Sequence, residues 1–236
     1  MNPIRKALTM RIKTLLLPLA LLSAVCLLRA EDKPTGWKPL FDGKSMDGWQ
    51  AADLYKPGEC AVKDGALCLK TGKRGENGPM TGVVSTRKDL PKTDYELRFQ
   101  ARRVEGDDFF ATVTFPVGNS HCSFVTGGWG GETVGLSTLD GMDASENDTS
   151  GSFAFEKGKW YTFRVRVSDK RIQTFIGDKR LVNVGTEDRK VGIRLECLPC
   201  RPLGLATYRT TGEVKAIEIR PLSKGEVEEM NKKSDE

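Results

Sequence analysis

Hydrophobic and polar side chains alternate along much of this chain with a period of two residues. The alternation is clearest at residues 161–167, where aromatic residues and valine occupy one face and threonine and arginine the other. Because successive side chains of a β-strand point to opposite faces, this pattern predicts a strand with one buried face. Turn-forming residues at 168–170 and 177–178 follow it and separate the next two apolar runs. The segment therefore predicts an antiparallel meander.

The same pattern recurs through the rest of the chain, and helical periodicity is nearly absent. Further strands are predicted at 60–62, 66–68, 95–104, 109–117, 122–126, 133–139, 191–197, 203–208 and 214–220. Roughly a dozen short strands between turn signals predict an all-β fold, an antiparallel β-sandwich of jelly-roll type. No linker or internal repeat divides residues 31–222, which predicts a single domain. Residues 223–236 are charged and lack an apolar stripe, which predicts a frayed helix or a disordered tail.

The first 30 residues differ from the rest in charge and hydropathy. They hold five of the chain's 37 basic residues, no acidic residue, and an apolar run at 15–28 that ends just before Ala30. This arrangement predicts a secretory signal peptide at 1–30, with Met10 as an alternative start. The run is short for a bilayer span, so we expect a secreted or periplasmic protein with no membrane span after cleavage. A lipoprotein modified at Cys26 and an uncleaved anchor remain open alternatives.

The net charge of +5 belongs to this segment. Without its five basic residues, 32 lysines and arginines face 32 aspartates and glutamates. A near-neutral protein has no long-range attraction for a polyanion. We therefore expect no nucleic-acid partner.

Five cysteines remain beyond the signal peptide, in an oxidising compartment. A three-residue hairpin loop at 63–65 places Cys60 opposite Cys68, at a Cα separation that suits a disulfide. Cys197 and Cys200 have CxxC spacing, which leaves open a local disulfide or two free thiols. A zinc site needs two more ligands, and no histidine or cysteine has suitable spacing. The sequence predicts a Cys60–Cys68 disulfide.

Two stretches contain candidate binding chemistry. Four glycines surround Trp129, so its indole can be exposed as a platform for the apolar face of a sugar. Residues 140–150 hold four carboxylates, an amide and three hydroxyls, which suit a divalent cation or a polyol. A tryptophan packed on the sheet and a merely solvated acidic loop are the structural alternatives. The metal-ligand candidates in the loop are Asp140, Asp143 and Glu146.

The catalytic candidates follow from what the chain lacks. It has a single histidine and no nucleophile elbow, P-loop or dinucleotide fingerprint. Any catalysis must therefore use carboxylates, with or without a divalent cation as cofactor. The catalytic candidates are His121, Asp140, Asp143 and Glu132. The substrate-binding candidates are Trp129 and Asn147.

Three motifs occur in an informative order along the chain. WKPLFDGKSMDGW at 37–49, AVKDGAL at 61–67 and DYELRF at 94–99 are followed by glycine-containing late strands. They resemble the LFNGKxLxGW opening, the VxDGxL hairpin and the DFEL strand of the 3-keto-disaccharide hydrolase-like domain family. The resemblance covers roughly 37–222. It implies a jelly roll of the concanavalin A-like lectin/glucanase type.

The chemistry implied by the resemblance is cleavage of glycosides that carry a ketone at C3. The ketone acidifies the C2 proton, a base removes it, and the glycosidic oxygen leaves before water adds. The implied protein is a secreted carbohydrate-active enzyme, and a non-catalytic, lectin-like glycan-binding module is the alternative. The chain departs from the family pattern in three places. Gln100 replaces a common carboxylate, DDFFA at 107–111 replaces NSG, and GLATYR at 204–209 lacks the aspartate and histidine of GLQDHG.

Overall fold

The computed structural model describes residues 36–72 and 79–232, so the predicted signal peptide at 1–30 lies outside the described residues. The described residues form fifteen strands, a 3₁₀ helix at Leu195–Cys200 and an α-helix, α1, at Lys224–Asn231. The strands are β1 Lys38–Pro39, β2 Trp49–Ala51, β3 Cys60–Lys63, β4 Ala66–Leu69, β5 Met80–Ser85, β6 Tyr95–Glu105, β7 Thr112–Val117, β8 Ser120–Gly128, β9 Thr133–Ser137, β10 Gly151–Ser152, β11 Tyr161–Val167, β12 Arg171–Ile176, β13 Lys179–Gly185, β14 Gly204–Tyr208 and β15 Thr211–Pro221. Among the described residues, no helix is both long and apolar enough to span a bilayer.

The strands form two antiparallel sheets. The eight-stranded sheet has the order β13-β12-β11-β6-β15-β4-β3, with β1 paired to β15. The seven-stranded sheet has the order β10-β9-β8-β7-β14-β5-β2. The sheets pack face to face, so the predicted all-β sandwich of jelly-roll type is confirmed.

The core lies between the sheets and follows the alternation of each strand. In β11, Phe163, Val165 and Val167 are fully buried, as the sequence pattern predicts. The Phe163 ring stacks on Phe99 of β6, with 5.2 Å between centroids, and meets the edge of Phe110 at 6.0 Å. The ring also meets the edge of Phe124 of β8 at 6.2 Å, so aromatic rings from both sheets meet in the core.

The hairpin between β3 and β4 corrects the predicted disulfide. Lys63 pairs with Ala66, so the loop has two residues, Asp64 and Gly65, at φ 50° and 80°. The shorter loop shifts the register by one residue, and Cys60 pairs with Leu69 while Cys68 pairs with Ala61. A one-residue shift turns a side chain to the other face of a strand. Cys60 and Cys68 therefore point to opposite faces, both thiols are free, and the disulfide prediction is wrong.

Residues 191–197 do not form the predicted strand. Val191 makes only an isolated bridge to Leu139, and the 3₁₀ helix Leu195–Cys200 follows. Cys197 and Cys200 are free and buried in this helix. Burial raises the pKa of Cys197 to about 11 and that of Cys200 to about 12, so both thiols are protonated at neutral pH.

The charged segment after β15 begins with α1. The Ser223 hydroxyl accepts from the Glu226 amide, and the Glu226 carboxylate accepts from the Ser223 amide at 2.8 Å. This capping box satisfies free N–H groups at the helix start. Met230 is the buried residue of the helix.

Candidate functional site

A cleft of about 300 Å³ lies on the outer face of the seven-stranded sheet, which we call the cleft face. Side chains alternate across this sheet, so Phe115 and Phe124 enter the core while their neighbours face outward. The floor consists of Thr112, Ser123, Val125 and Ser137. The walls and ends are Met80, Asp108, Phe109, Trp129, Arg194, Glu196, Cys197 and Tyr208.

Trp129 forms one end of the cleft and is 47% exposed. Its φ of 48° is left-handed, as are those of Gly127 and Gly130, at 82° and 93°. This tight turn after β8 presents the indole to solvent instead of packing it against the sheet. Of the two interpretations of the glycine-rich stretch, the structure shows the exposed tryptophan.

Arg103 holds the Trp129 turn from the opposite sheet. It lies on β6, is 5% exposed, and its Nη2 donates to the carbonyl oxygens of Gly127 at 3.3 Å and Gly131 at 2.6 Å. A Cβ at Gly127 would lie 2.5 Å from the same nitrogen, so the close approach of the guanidinium requires glycine there. The guanidinium also lies over the Phe110 ring, at 5.1 Å from its centroid. Arg103 is therefore a positioning residue for Trp129.

Arg194 organises one wall of the cleft. Its Nη1 donates to Asp143 Oδ2, while its Nε and Nη2 donate to the two carboxylate oxygens of Glu196 at 3.4 and 3.2 Å. Asp143 Oδ1 also accepts from the Ser137 hydroxyl at 3.1 Å. Hydrogen bonding to Glu196 raises the pKa of Arg194, and the same contact lowers the pKa of Glu196. A guanidinium has five N–H donors, so the fixed Arg194 retains donors for a ligand.

Asp108, Phe109 and Tyr208 form the facing wall. Asp108 Oδ1 accepts from the Phe109 amide at 2.8 Å, and the Asp108 amide donates to Thr210 Oγ1 at 3.0 Å. The Phe109 and Tyr208 rings pack at 5.7 Å. Among the described residues, no basic side chain forms an ion pair with Asp108. Its carboxylate therefore keeps capacity to accept a proton or a hydrogen bond.

The floor of the cleft has one unpaired polar group. Thr112 is 3% exposed, and its hydroxyl finds no hydrogen-bond partner within the described part of the chain. The next polar residues of the floor are paired, since Thr114 and Ser123 share a hydrogen bond of 2.8 Å. Buried hydroxyls are nearly always satisfied. The hydrogen-bonding capacity of the Thr112 hydroxyl, directly beneath the cleft, is therefore unused within the described structure.

The structure places Trp129 in the lining of the cleft, Asp143 in contact with the lining residues Ser137 and Arg194, and the other nominated residues elsewhere. His121 lies on β8 beyond Ser123, about 25 Å along the strand from Trp129 at the usual rise per residue. It lines a second cavity. Burial, and then Arg201 and Lys92, lower its pKa, so the imidazole is neutral at pH 7. Glu132 is exposed and accepts from the Ser152 hydroxyl at 3.0 Å.

The acidic loop at 140–150 does not form a cation site. Arg189 binds both Asp140, at 2.8 Å, and Asp148, at 2.7 Å. The hydrogen bond from the Lys190 amide, and then Arg189, lower the pKa of Asp140, and Arg189 lowers the pKa of Asp148. Glu146 only contacts the Asp143 amide, at 3.5 Å. Residues 36–72 and 79–232 contain no group of three or more His, Cys, Asp and Glu that could hold a metal. The candidate metal ligands Asp140, Asp143 and Glu146 therefore do not fit a bound cation.

Asn147 stabilises the acidic loop at 140–150 by hydrogen bonds. It is 4% exposed, and its Nδ2 donates to the carbonyl oxygens of Leu136, Met142 and Asp143 at 2.7, 3.1 and 2.8 Å. Its Oδ1 accepts from the Thr149 amide and hydroxyl. The amide therefore has no free donor for a sugar, and the structure places Asn147 in the scaffold below the cleft.

Several cleft residues were not nominated from the sequence. They are Asp108, Phe109, Thr112, Arg194, Glu196 and Tyr208. A signal for some of them was present, because two departures from the family pattern fall on the cleft. The segment 107–111 contains Asp108 and Phe109, and the segment 204–209 contains Tyr208. The chain therefore differs from the family pattern at the walls of its cleft.

The fold and site define an antiparallel β-sandwich with an open cleft on the outer face of one sheet. This chain belongs to the 3-keto-α-glucoside-1,2-lyase-like domain family, whose model matches residues 36–220. The resemblance seen in the sequence is confirmed. A comparison with curated proteins finds no match.

The chain is similar to several solved structures at low sequence identity. The Crh5 transglycosylase in complex with NAG has a TM-score of 0.53 at 11% identity, covering 79% of this chain and 84% of that chain. Domain 4 of AbnA, a GH43 extracellular arabinanase from Geobacillus stearothermophilus in complex with arabinotriose, has a TM-score of 0.49 at 15% identity, covering 83% and 97%. The carbohydrate-binding module CBM66 from Bacillus subtilis has a TM-score of 0.43 at 9% identity, covering 73% and 95%. The first of these likenesses shows the fold, and family membership indicates a carbohydrate-active protein, either an enzyme or a binding module.

Proposed function

We propose that this protein is an exported enzyme that cleaves glucosides carrying a ketone at C3, with the sugar bound between Trp129 and Tyr208. The observation that supports it is the composition of the cleft. An exposed indole stands at one end, the walls carry a fixed arginine and a carboxylate without an ion-pair partner, and the floor has an unpaired hydroxyl. Aromatic faces suit sugar rings, and the polar groups suit their oxygens. Export is part of the proposal and rests on residues 1–30.

In the proposed reaction, one wall of the cleft supplies the base and the other stabilises the developing charge. Asp108 removes the proton from C2, and the electrons of that C–H bond pass to the C3 ketone oxygen as an enolate, whose charge is stabilised by the remaining N–H donors of Arg194. The enolate electrons then return to re-form the ketone and make the C1–C2 double bond as the C1–O bond breaks. The departing oxygen takes a proton from water, the hydroxide left behind takes the proton from Asp108, and a second water adds across the double bond to give the free 3-keto sugar. General base catalysis of this kind contributes about 10²–10⁴-fold to a rate.

Asp143 and Glu196 have a positioning role in this scheme. Both hold Arg194 in place, so their carboxylates are occupied by hydrogen bonds from its guanidinium. Asp108 differs because none of the described basic side chains forms an ion pair with it, although its charge interacts with the buried Arg103 guanidinium. For this reason the proposed base is Asp108 and not the nominated Asp143.

The test uses the purified chain with a nitrophenyl 3-keto-α-glucoside and the matching unoxidised glucoside. We expect nitrophenolate release only from the oxidised compound, and a slower rate when its C2 hydrogen is replaced by deuterium. Asp108→Asn should lower kcat by about 10²–10⁴-fold with a smaller change in KM. Asp107→Asn is the matched control, because Asp107 is an exposed neighbour outside the cleft. Equal rates for the two variants would contradict the assignment of the base.

A non-catalytic glycan-binding module is the second candidate. It is favoured because Asp143 and Glu196 both form ion pairs with Arg194, so Asp108 is the one acidic residue lining the cleft that has no described ion pair. In this case the oxidised and unoxidised glucosides would bind in calorimetry with similar affinity, and neither would be cleaved. Trp129→Ala would weaken binding of both ligands.

A further inference from the structure

A second cavity, of about 360 Å³, lies on the cleft face at the end of β8 opposite to Trp129. We call it the basic pocket and define it by Arg87, Lys88, Lys92 and His121. None of the described residues that line it is acidic. Pro116 pairs with His121 across β7 and β8, and Asn119 lies in the hairpin that joins these strands.

The positive charges of the basic pocket form no ion pair within the described part of the chain. Among the described residues, no carboxylate lies in salt-bridge contact with Arg87, Lys88 or Lys92. Asp89 pairs with Lys38 at 3.1 Å and interacts with Arg87 at longer range, in a neighbouring cavity that Arg87 also lines. Arg87 Nε is fully buried without a hydrogen-bond partner in the described structure, although Nη2 of the same side chain contacts the Leu40 oxygen at 3.5 Å.

The only histidine of the chain, His121, lies among these positive charges. Burial lowers the pKa of His121 first, and the charges of Arg201 and Lys92 lower it further. The charged groups that face the imidazole are therefore all cationic. Cations that line one cavity without an ion-pair partner among the described residues attract an anion.

We propose that the basic pocket binds an oxyanion, the carboxylate or sulfate group of an acidic sugar that lies along the cleft face. Ser123 of the cleft floor and His121 of the basic pocket lie two residues apart on one face of β8. That spacing is about 7 Å, within the reach of adjacent sugar units. The anion site rests on the pocket alone, whereas the assignment of the anion to a glycan rests on the proposed function of the cleft.

The experiment uses His121 as its reporter. The pKa of the single imidazole is measured by NMR on the untagged chain, with sodium chloride as the ionic-strength reference and sulfate, glucuronate or glucose as probes. A bound anion favours the protonated imidazole, so saturating sulfate or glucuronate should raise the His121 pKa by about one unit. Glucose should leave it unchanged. The absence of a saturable rise with either anion would overturn the anion site.

Affinity separates the two sources of the anion. Glucuronate binding at least tenfold tighter than sulfate supports an acidic sugar as the ligand. Sulfate binding as tightly as glucuronate, or more tightly, overturns the glycan assignment and leaves a site for free inorganic anions. Neither result depends on turnover in the cleft, because Asp108→Asn should leave the His121 shift intact even if it removes activity.

Substitutions locate the site. Lys92→Gln should weaken the binding of sulfate and glucuronate about tenfold, whereas Lys63→Gln, an exposed lysine on the other sheet, should not. Arg87→Gln should weaken the binding of both anions more than Lys92→Gln does. Arg87 also contacts the Leu40 oxygen, so its substitution can impair folding, and Lys88→Gln is then used instead because Lys88 is exposed. Equal weakening by Lys92→Gln and Lys63→Gln would show a general charge effect and overturn the assignment.

Discussion

The outer faces of the two sheets differ in how many of their charged side chains form ion pairs. On the outer face of the eight-stranded sheet, which we call the arginine face, five arginines have a carboxylate partner. The ion pairs are Arg98–Glu218 at 2.6 Å, Arg102–Glu213 at 2.7 Å, and Arg164, Arg166 and Arg220 with Glu96. Trp37 adds to this face, with the Arg98 guanidinium 4.0 Å from its ring centroid.

On the cleft face, several polar groups have no partner within the described structure. They are the hydroxyl of Thr112, the Nε of Arg87 and the ammonium groups of Lys88 and Lys92. Asp108 also stands outside any described ion pair. The arginine face holds five guanidinium groups in ion pairs, although Trp37 Nε1 and Arg171 Nε find no hydrogen-bond partner among the described residues. The cleft face differs because it keeps lysines and an aspartate outside any described ion pair. Abundant charge on a surface is therefore a weaker sign of function than charge and hydroxyls left unpaired.

The largest expected effect tests the arginine face. Glu96 is 1% exposed and receives three arginines, so Glu96→Ala should lower the free energy of unfolding by about 3–5 kcal/mol, because buried positive charges lose their partner. Glu218→Ala, which breaks a more exposed pair, should cost about 1 kcal/mol or less. Urea unfolding measures both. Equal losses would show that burial does not distinguish these pairs.

A tryptophan on each face tests the comparison directly. Trp129→Ala should weaken binding of a 3-keto-glucoside by about 1–3 kcal/mol in calorimetry, with little change in unfolding, because the exposed indole packs on the ligand and not on the core. Trp160→Ala is the matched control. Its ring packs under Lys215 at 4.1 Å and Arg102 at 4.8 Å, so its loss should affect stability and leave binding unchanged. A reversed outcome would move the binding surface to the arginine face.

The smallest expected effect concerns pH. The hydrogen bond from Arg220, aided by Ser223, lowers the pKa of Glu226 from its usual 4.5 to about 2. Because the folded pKa is the lower one, this carboxylate contributes stability that is fully present above pH 4.5 and is lost as the pH falls towards 2. The side chain is 27% exposed, so solvent screens the pair, and we expect about 1 kcal/mol or less.

Glu226→Gln should flatten the dependence of stability on pH in this window. Glu229→Gln, an exposed residue of the same helix, should leave it unchanged. Urea unfolding at several pH values between 2 and 6 gives the comparison. An unchanged profile for Glu226→Gln would mean that other carboxylates dominate acid unfolding.

Much of the fold was predictable because the sheet pattern is local. Alternation at 161–167 predicted that Phe163 and Val165 belong to the core. The hairpin that follows Lys63 shows what a local sequence pattern cannot predict. Two-residue and three-residue loops both suit this sequence, and only pairing with the rest of the sheet selects the shorter loop and its register.

The site was less predictable because its residues act through distant partners. Arg194 is separated from Asp143 by 51 residues, and Arg103 from the Gly127 carbonyl by 24. Arg189 reaches Asp140 and Asp148 across 49 and 41 residues, and so turns a candidate cation site into a braced loop. None of these pairings leaves a periodic signal in the sequence.

The sequence by itself determined the class of fold and the family, since alternation, turn residues and short motifs are encoded within a few neighbouring positions. The sequence left open whether Trp129 is exposed or packed on the sheet, and the structure shows it exposed. The tertiary structure decided which polar groups remain free. Hydrogen-bonding capacity is lost or kept only when strands distant in sequence meet, as when Arg194 reaches Asp143 while Asp108 on the facing wall finds no such partner. That selection converts a generic sandwich into one with a cleft and a basic pocket on a single face.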